Sequence, residues 1–148
     1  MKTKEIIKCY LASPFFNEVE IERMEKVLEI LRDKGLEVFA PYYNQNKHLE
    51  FGSMEWRKAT YQGDIRGLEE ADVTVAIVSQ GNYSDSGTCW ECAWSYCNNK
   101  PVVVVNLSGK EINLMIADSL HAYISSLEEL KAYDFSEMKA IPYTEYVW

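Results

Sequence analysis

With 148 residues, 47% hydrophobic and 26% charged, the chain has the size and balance of one globular domain able to bury a core. Its formal net charge of -8 argues against a binder of nucleic-acid polymers, and no apolar run reaches the length of a bilayer span. The opening Met1–Glu5 leads straight into a strand-like segment, so no signal peptide is expected and the cytoplasm is the expected location.

Ile6–Ala12 is short and mostly apolar, as in a buried parallel strand, and Ser13-Pro14 stops it. Asn17, with Glu20 three residues on, marks a helix start. Ile21, Met24, Val27, Leu28 and Leu31 then recur at helical spacing until Gly35 closes the helix. Leu36–Ala40 reads as a second strand ended by Pro41, which makes a right-handed parallel crossover. Tyr42–Ser53 is polar and irregular, and a loop of that length in a compact domain is more often functional than idle.

Met54–Glu70 turns helical again, with Trp56, Ala59, Ile65 and Leu68 as the expected inner face. Asp64 lies in the later half of that helix, where acidic residues are disfavoured; a solvated face explains it as well as a function does. Val73–Val78 is the third strand, Gln80–Asp85 a turn-rich loop, and Cys89–Asn99 the next helix. Val102–Val105 is strongly β-branched; Ile112–Ala117 reads as a short helix, His121–Ile124 as a fifth strand and Ser126–Tyr133 as a last helix. The tail from Phe135 to Trp148 is too aromatic for a loose end.

Strands and helices alternating at these lengths predict a doubly wound, flavodoxin-like sheet of five parallel strands in a single domain over 1–148. In that order the first and third strands flank the switch point, which brings Tyr10–Phe16 beside Asp85–Glu91. The first loop has neither a GxGxxG pattern nor a Walker lysine, and Phe15 and Phe16 suit a flat, uncharged ligand. Carboxylates facing an aromatic wall are the equipment of glycosyl transfer. Each has a plainer reading. Glu91 completes a Thr88-x-x-Glu91 capping box in a first helical turn, Asp85 suits a turn, and Tyr10 suits a core. Cys9, Cys89, Cys92 and Cys97 are expected as free thiols; Cys89-x-x-Cys92 is half a metal site with nothing to complete it.

Taken in order, Tyr10–Phe16, Asp64, Asp85-x-Gly87-Thr88-x-x-Glu91, Lys100-Pro101-Val102, Asn113-Leu114-Met115 and the terminal Tyr146-Val147-Trp148 resemble the nucleoside 2-deoxyribosyltransferases. The resemblance implies exchange of the base on a 2'-deoxynucleoside, with retention at C1', between purine or pyrimidine bases and with no metal or organic cofactor. It implies Glu91 as the nucleophile that carries the deoxyribosyl group and Asp64 as the proton donor and acceptor for the base. It implies Asp85 with Asn113 as holders of the sugar's 5'-hydroxyl and Tyr10 as the group that orients Glu91. Phe15, Phe16 and Gln45 would meet the base, and Gly87 belongs to the same loop. The family also implies a hexamer of dimers, in which Asn113, Met115 and the Trp148 carboxylate complete a neighbour's site.

Glu91-Cys92-Ala93 stands where many members have Glu-Leu-Gly, so Cys92 beside the nucleophile suggests sensitivity to thiol reagents. Ser53–Arg57 and Thr60–Asp64 resemble a purine-restricted branch, while the first loop and Asn113–Tyr123 resemble a broader one; broad use is expected. The competing readings are an N-glycosidase on the same scaffold and a non-catalytic nucleotide-binding module.

Overall fold

The computed structural model describes residues 5–78 and 85–147. Five strands and five α-helices alternate: β1 (Lys8–Ala12), α1 (Glu18–Asp33), β2 (Glu37–Phe39), α2 (Met54–Glu70), β3 (Val73–Val78), α3 (Ser86–Cys97), β4 (Val102–Asn106), α4 (Leu114–Ser119), β5 (Ala122–Ile124) and α5 (Leu127–Ala132). The strands form one parallel sheet in the order β2-β1-β3-β4-β5. This is the flavodoxin-like order, with its switch point between β1 and β3.

Because side chains alternate along a strand, the sheet presents two separate faces. Cys9, Leu11, Val75 and Val103 pack under α1 and α5, whereas Tyr10, Ala12, Ala76 and Val104 face α2, α3 and α4. Helix α1 starts as its sequence demands: the Glu20 N–H donates to the Asn17 Oδ1 at 2.9 Å, and the Phe16 N–H donates to the Glu20 carboxylate at 3.0 Å. Gly35 ends it at φ +85°, a conformation that favours glycine.

The expected inner face of α2 is only partly realised. Trp56, Ala59 and Ile65 are half-buried, and only Gly67 and Leu68 are fully buried. The helix approaches the sheet through its last turn and leaves its first turns over the 41–53 loop. Lys100 fixes that last turn, its Nζ donating to the Glu69 and Ala71 carbonyls at 2.5 and 2.6 Å. The lysine of Lys100-Pro101-Val102 therefore caps a helix. The aromatic tail is built in: Ile141 bridges Ala122, Val147 bridges Ile112, and Tyr143 and Val147 pack on the second face.

Helix α3 begins earlier than the sequence suggests. Asp85 is its N-cap, with Oδ2 accepting from both the N–H and the hydroxyl of Thr88 at 2.9 Å. Thr88 is thus the third helical residue, and Glu91 lies in the second turn, too far along for a capping box. The carboxylate outcompetes the hydroxyl for the cap because it is the stronger acceptor. The rest of the expected 80–85 loop lies outside the described residues.

A Cβ on Gly67 would come within 2.7 Å of the Phe39 ring, which stacks on Tyr10 at 5.5 Å. We expect Gly67→Ala to lower stability by about 1–3 kcal/mol through overpacking, despite a helix-propensity gain of about 1 kcal/mol. Urea unfolding checks this; a raised midpoint would show that Phe39 moves aside freely.

Candidate active site

A cavity of about 540 Å³ opens at the carboxyl ends of β1 and β3, a volume that suits a small organic ligand. Ser13, Pro14, Phe15 and Phe16 of the β1–α1 turn form one wall. Tyr61, Asp64, Ile65 and Leu68 of α2 form a second, and Asp85, Ser86, Gly87, Trp90 and Glu91 of α3 a third. Phe15 meets Tyr42 edge-on at 5.4 Å, and Tyr61 meets Trp90 edge-on at 6.3 Å, so aromatic rings stand on both sides. The lining among the described residues contains no lysine, arginine or histidine.

Two neighbouring strands hold α3 in place. Tyr10 and Thr74 are register partners in β1 and β3, so their side chains emerge together on the α3 face. Four residues apart on one side of α3, Glu91 and Ser95 meet them. The Tyr10 hydroxyl donates to the Glu91 Oε2, and the Thr74 and Ser95 hydroxyls bond at 2.9 Å. The Ser95 hydroxyl also reaches the Glu91 carbonyl at 2.9 Å, which ties the two rungs together. Gly87 leaves room for the capping carboxylate: a Cβ there would meet the Asp85 Oδ2 at 3.3 Å.

The electrostatics follow from burial without a cation. Burial raises the Glu91 carboxyl to about 7; the Tyr10 hydrogen bond opposes this, and the Asp64 and Asp85 charges add to it. Burial likewise raises Asp64 to about 6, against a lowering contact from the Asn44 side chain. The Asp64 Oδ1 is shielded from solvent and has no hydrogen-bond partner. Tyr10 is fully buried, and burial together with Glu91 holds its proton on far above neutrality. So Tyr10 is the donor to Glu91, and both carboxyls are raised towards neutrality.

The cavity brings together Glu91, Asp64, Asp85, Phe15, Phe16 and Gly87 among the residues singled out from the sequence, with Tyr10 directly behind Glu91. Asp64 is no solvated-face residue. Other residues lie elsewhere. The Gln45 side chain donates to the Tyr42 carbonyl at 2.6 Å and is not part of the lining. Asn113 caps α4, accepting from the Met115 N–H at 2.8 Å, and Met115 is 74% exposed, both outside this cavity. Trp148 lies outside the described residues.

The sequence reading missed Asn44, Tyr61 and Trp90; an exposed aromatic one residue before Glu91 was the available signal for Trp90. The expected reactivity of Cys92 is corrected. Its thiol is buried in the second core face and pushed up to about 12 by that burial, so it is protonated and shielded from reagents.

A family profile for nucleoside 2-deoxyribosyltransferase matches residues 9–123. The nucleoside deoxyribosyltransferase of Limosilactobacillus fermentum is 30% identical over 154 residues, covering 92% of this chain and 90% of that protein. Among solved structures, a 2-deoxyribosyltransferase from Bacillus psychrosaccharolyticus is 44% identical with a TM-score of 0.89, covering 93% of this chain and 99% of that one. A CMP N-glycosidase from Clostridium botulinum shares the fold at 21% identity and a TM-score of 0.59, with 85% and 99% covered.

Raised carboxyl values make stability depend on pH. The native state favours the protonated Glu91, whose ordinary value is 4.5, so folding takes up a proton between pH 4.5 and about 7. The protonated form's advantage is complete below that window and lost above it. Glu91→Gln mimics the neutral acid. It should match wild type near pH 4.5 and exceed it at pH 8 by up to about 3 kcal/mol, read as the pH dependence of the urea midpoint. Equal midpoints across the range would show that Glu91 is not strained by its burial.

Proposed function

The chain belongs to the nucleoside 2-deoxyribosyltransferase family, and from that premise we propose that it exchanges the base of a 2'-deoxynucleoside, with retention, through a deoxyribosyl group carried on Glu91. The observation that carries this is the half-buried Glu91 carboxylate, held by the Tyr10 hydroxyl at a cavity whose opposite wall is Asp64. Retention needs two displacements, so an enzyme carboxylate must hold the sugar between them.

In the first step the Glu91 Oε attacks C1', the bond to the base nitrogen breaks, and its electron pair leaves with the base. Asp64, raised towards neutrality, supplies the proton that the departing base needs. In the second step a new base gives a proton to Asp64 and attacks C1', and Glu91 leaves as a carboxylate. Tyr10 donates to that carboxylate throughout and holds one oxygen in place. Asp85 has its Oδ2 engaged by Thr88, which fixes the carboxylate at the cavity rim as an acceptor for the sugar's 5'-hydroxyl. Phe15 and Phe16, stacked on each other at 6.1 Å, supply the base platform.

An uncharged nucleoside fits better than a nucleotide, since no basic side chain among the described residues lines the cavity. Purine and pyrimidine bases are both accommodated, because the lining offers aromatic and aliphatic surface in preference to fixed donors. Asn113 and Met115, outside the lining of their own subunit's cavity, would contribute to a neighbour's site in a dimer-based hexamer, with Trp148 as a further contributor. Gln45 reaches a base only if its amide leaves the Tyr42 carbonyl. The scheme assigns no step to a metal.

The hydrolase reading has the same first step, with water replacing the second base. Thymidine plus adenine, run beside 2'-deoxyinosine plus adenine, separates the readings by HPLC. Deoxyadenosine is expected from both pairs, and Glu91→Gln should lose roughly 10³-fold or more in rate. Free base and deoxyribose without exchange would overturn the transferase reading.

A further inference from the structure

We propose that Asn44 is a positioning residue for Asp64: the loop after β2 is fastened along α2 so that one side-chain amide holds the Asp64 carboxyl towards the cavity. This rests on the proton-transfer role given to Asp64 above and adds the residue that sets its geometry.

Three contacts fasten the loop. The Trp56 indole N–H donates to the Gln45 carbonyl at 2.8 Å, and the Asn46 side-chain amide donates to the Thr60 hydroxyl at 3.2 Å. Between them, the Asn44 N–H closes the turn on the Pro41 carbonyl at 2.9 Å. Asn46 accepts a φ of 50° to make its contact, a left-handed value that asparagine tolerates better than most residues. Trp56, Thr60 and Gly63 are three to four residues apart, so these contacts run up one side of α2 and end at Asp64.

Gly63 supplies the room. A Cβ at Gly63 would lie 2.6 Å from the Asn44 Nδ2, so only glycine lets the amide lie this close to the helix. The Asn44 side chain is the hydrogen-bonding group that opposes burial of the Asp64 charge, while the Asp64 Oδ1 stays without a partner. With Oδ1 desolvated and unpaired, and the Asn44 amide beside Gly63 as the group that favours the Asp64 charge, few other contacts compete for the carboxyl's orientation. The groups that face Asp64 from other elements are Glu91 of α3 and Tyr10 of β1, with Asp85 beyond Glu91; all are acidic. On its own helix, Arg57 and Lys58 share a neighbouring groove with it.

The test uses Asn44→Ala and Gly63→Ala, neither of which alters a residue lining the cavity. Asp64 is titrated by carboxyl carbon NMR, assigned with Asp64→Asn, beside the pH profile of base exchange. Losing an amide donor to the carboxylate should move the Asp64 midpoint up by about one unit in both variants, with exchange falling about tenfold or more at pH 7. Gly63→Ala should keep or gain thermal stability, since alanine favours helix, so its loss of rate would not come from unfolding. An unmoved Asp64 midpoint in either variant overturns the proposal, whatever happens to stability. Absence of exchange in the wild type would instead remove the assigned reaction, while the titration still decides whether Asn44 holds Asp64.

Discussion

Two hydroxyl-mediated rungs, Tyr10 to Glu91 and Thr74 to Ser95, fix the third helix against adjacent strands at the switch point. Each rung alone would leave the helix free to slide or roll. Together, one turn apart and joined through the Glu91 carbonyl, they determine both its height and its rotation. A half-buried carboxylate on that helix is held to one place by the sheet itself, which gives more precision than a loop could. The polar groups of both rungs are paired, so the rungs define the packing of an otherwise apolar face.

The same placement creates the electrostatic tension that the chemistry uses. Three carboxylates converge with no cation among the described lining, and burial lifts Glu91 and Asp64 towards neutrality. In the proposed exchange Glu91 must be ionised to attack, and a tyrosine that keeps its proton favours that state. Asp64 must hold a proton to release the base, and its desolvated oxygen favours that one. Two carboxyl groups of similar raised affinity can share a single proton near pH 7, and their different partners decide where it sits once a base is bound. Stability is given up for this, because the native state carries charge it would otherwise shed.

The strands and their order were legible because fully buried parallel strands leave continuous β-branched runs, as in Val102–Val105, and turns marked by proline or glycine. The topology then brought Tyr10, Asp85 and Glu91 together without reference to any relative. The start of the third helix was not legible, since Asp85 and Thr88 are both good caps and only the three-dimensional outcome shows the threonine donating to the aspartate. The resemblance points to Gln45 in the loop after the second strand and is silent on Asn44. Two adjacent amides look alike in sequence, and which one faces Asp64 depends on how the loop lies along the second helix, a choice set by the gap at Gly63.

The charged groups of that lining are all acidic, which bears on which ligands it suits. A 5'-phosphate brought to about 8 Å from a carboxylate, at an effective dielectric of about 20, is repelled by on the order of 2 kcal/mol for each unit charge. Nucleotide recognition would therefore need a basic group at the Asp85 end of the cavity. The described lining has none, and residues 79–84, Ser-Gln-Gly-Asn-Tyr-Ser, contain none in sequence. A neutral 5'-hydroxyl meets the opposite situation: it can donate to Asp85, whose carboxylate is already oriented by the helix it caps. In the proposed reaction, the cap that makes the third helix start early thus also prepares the acceptor for a nucleoside's 5'-hydroxyl.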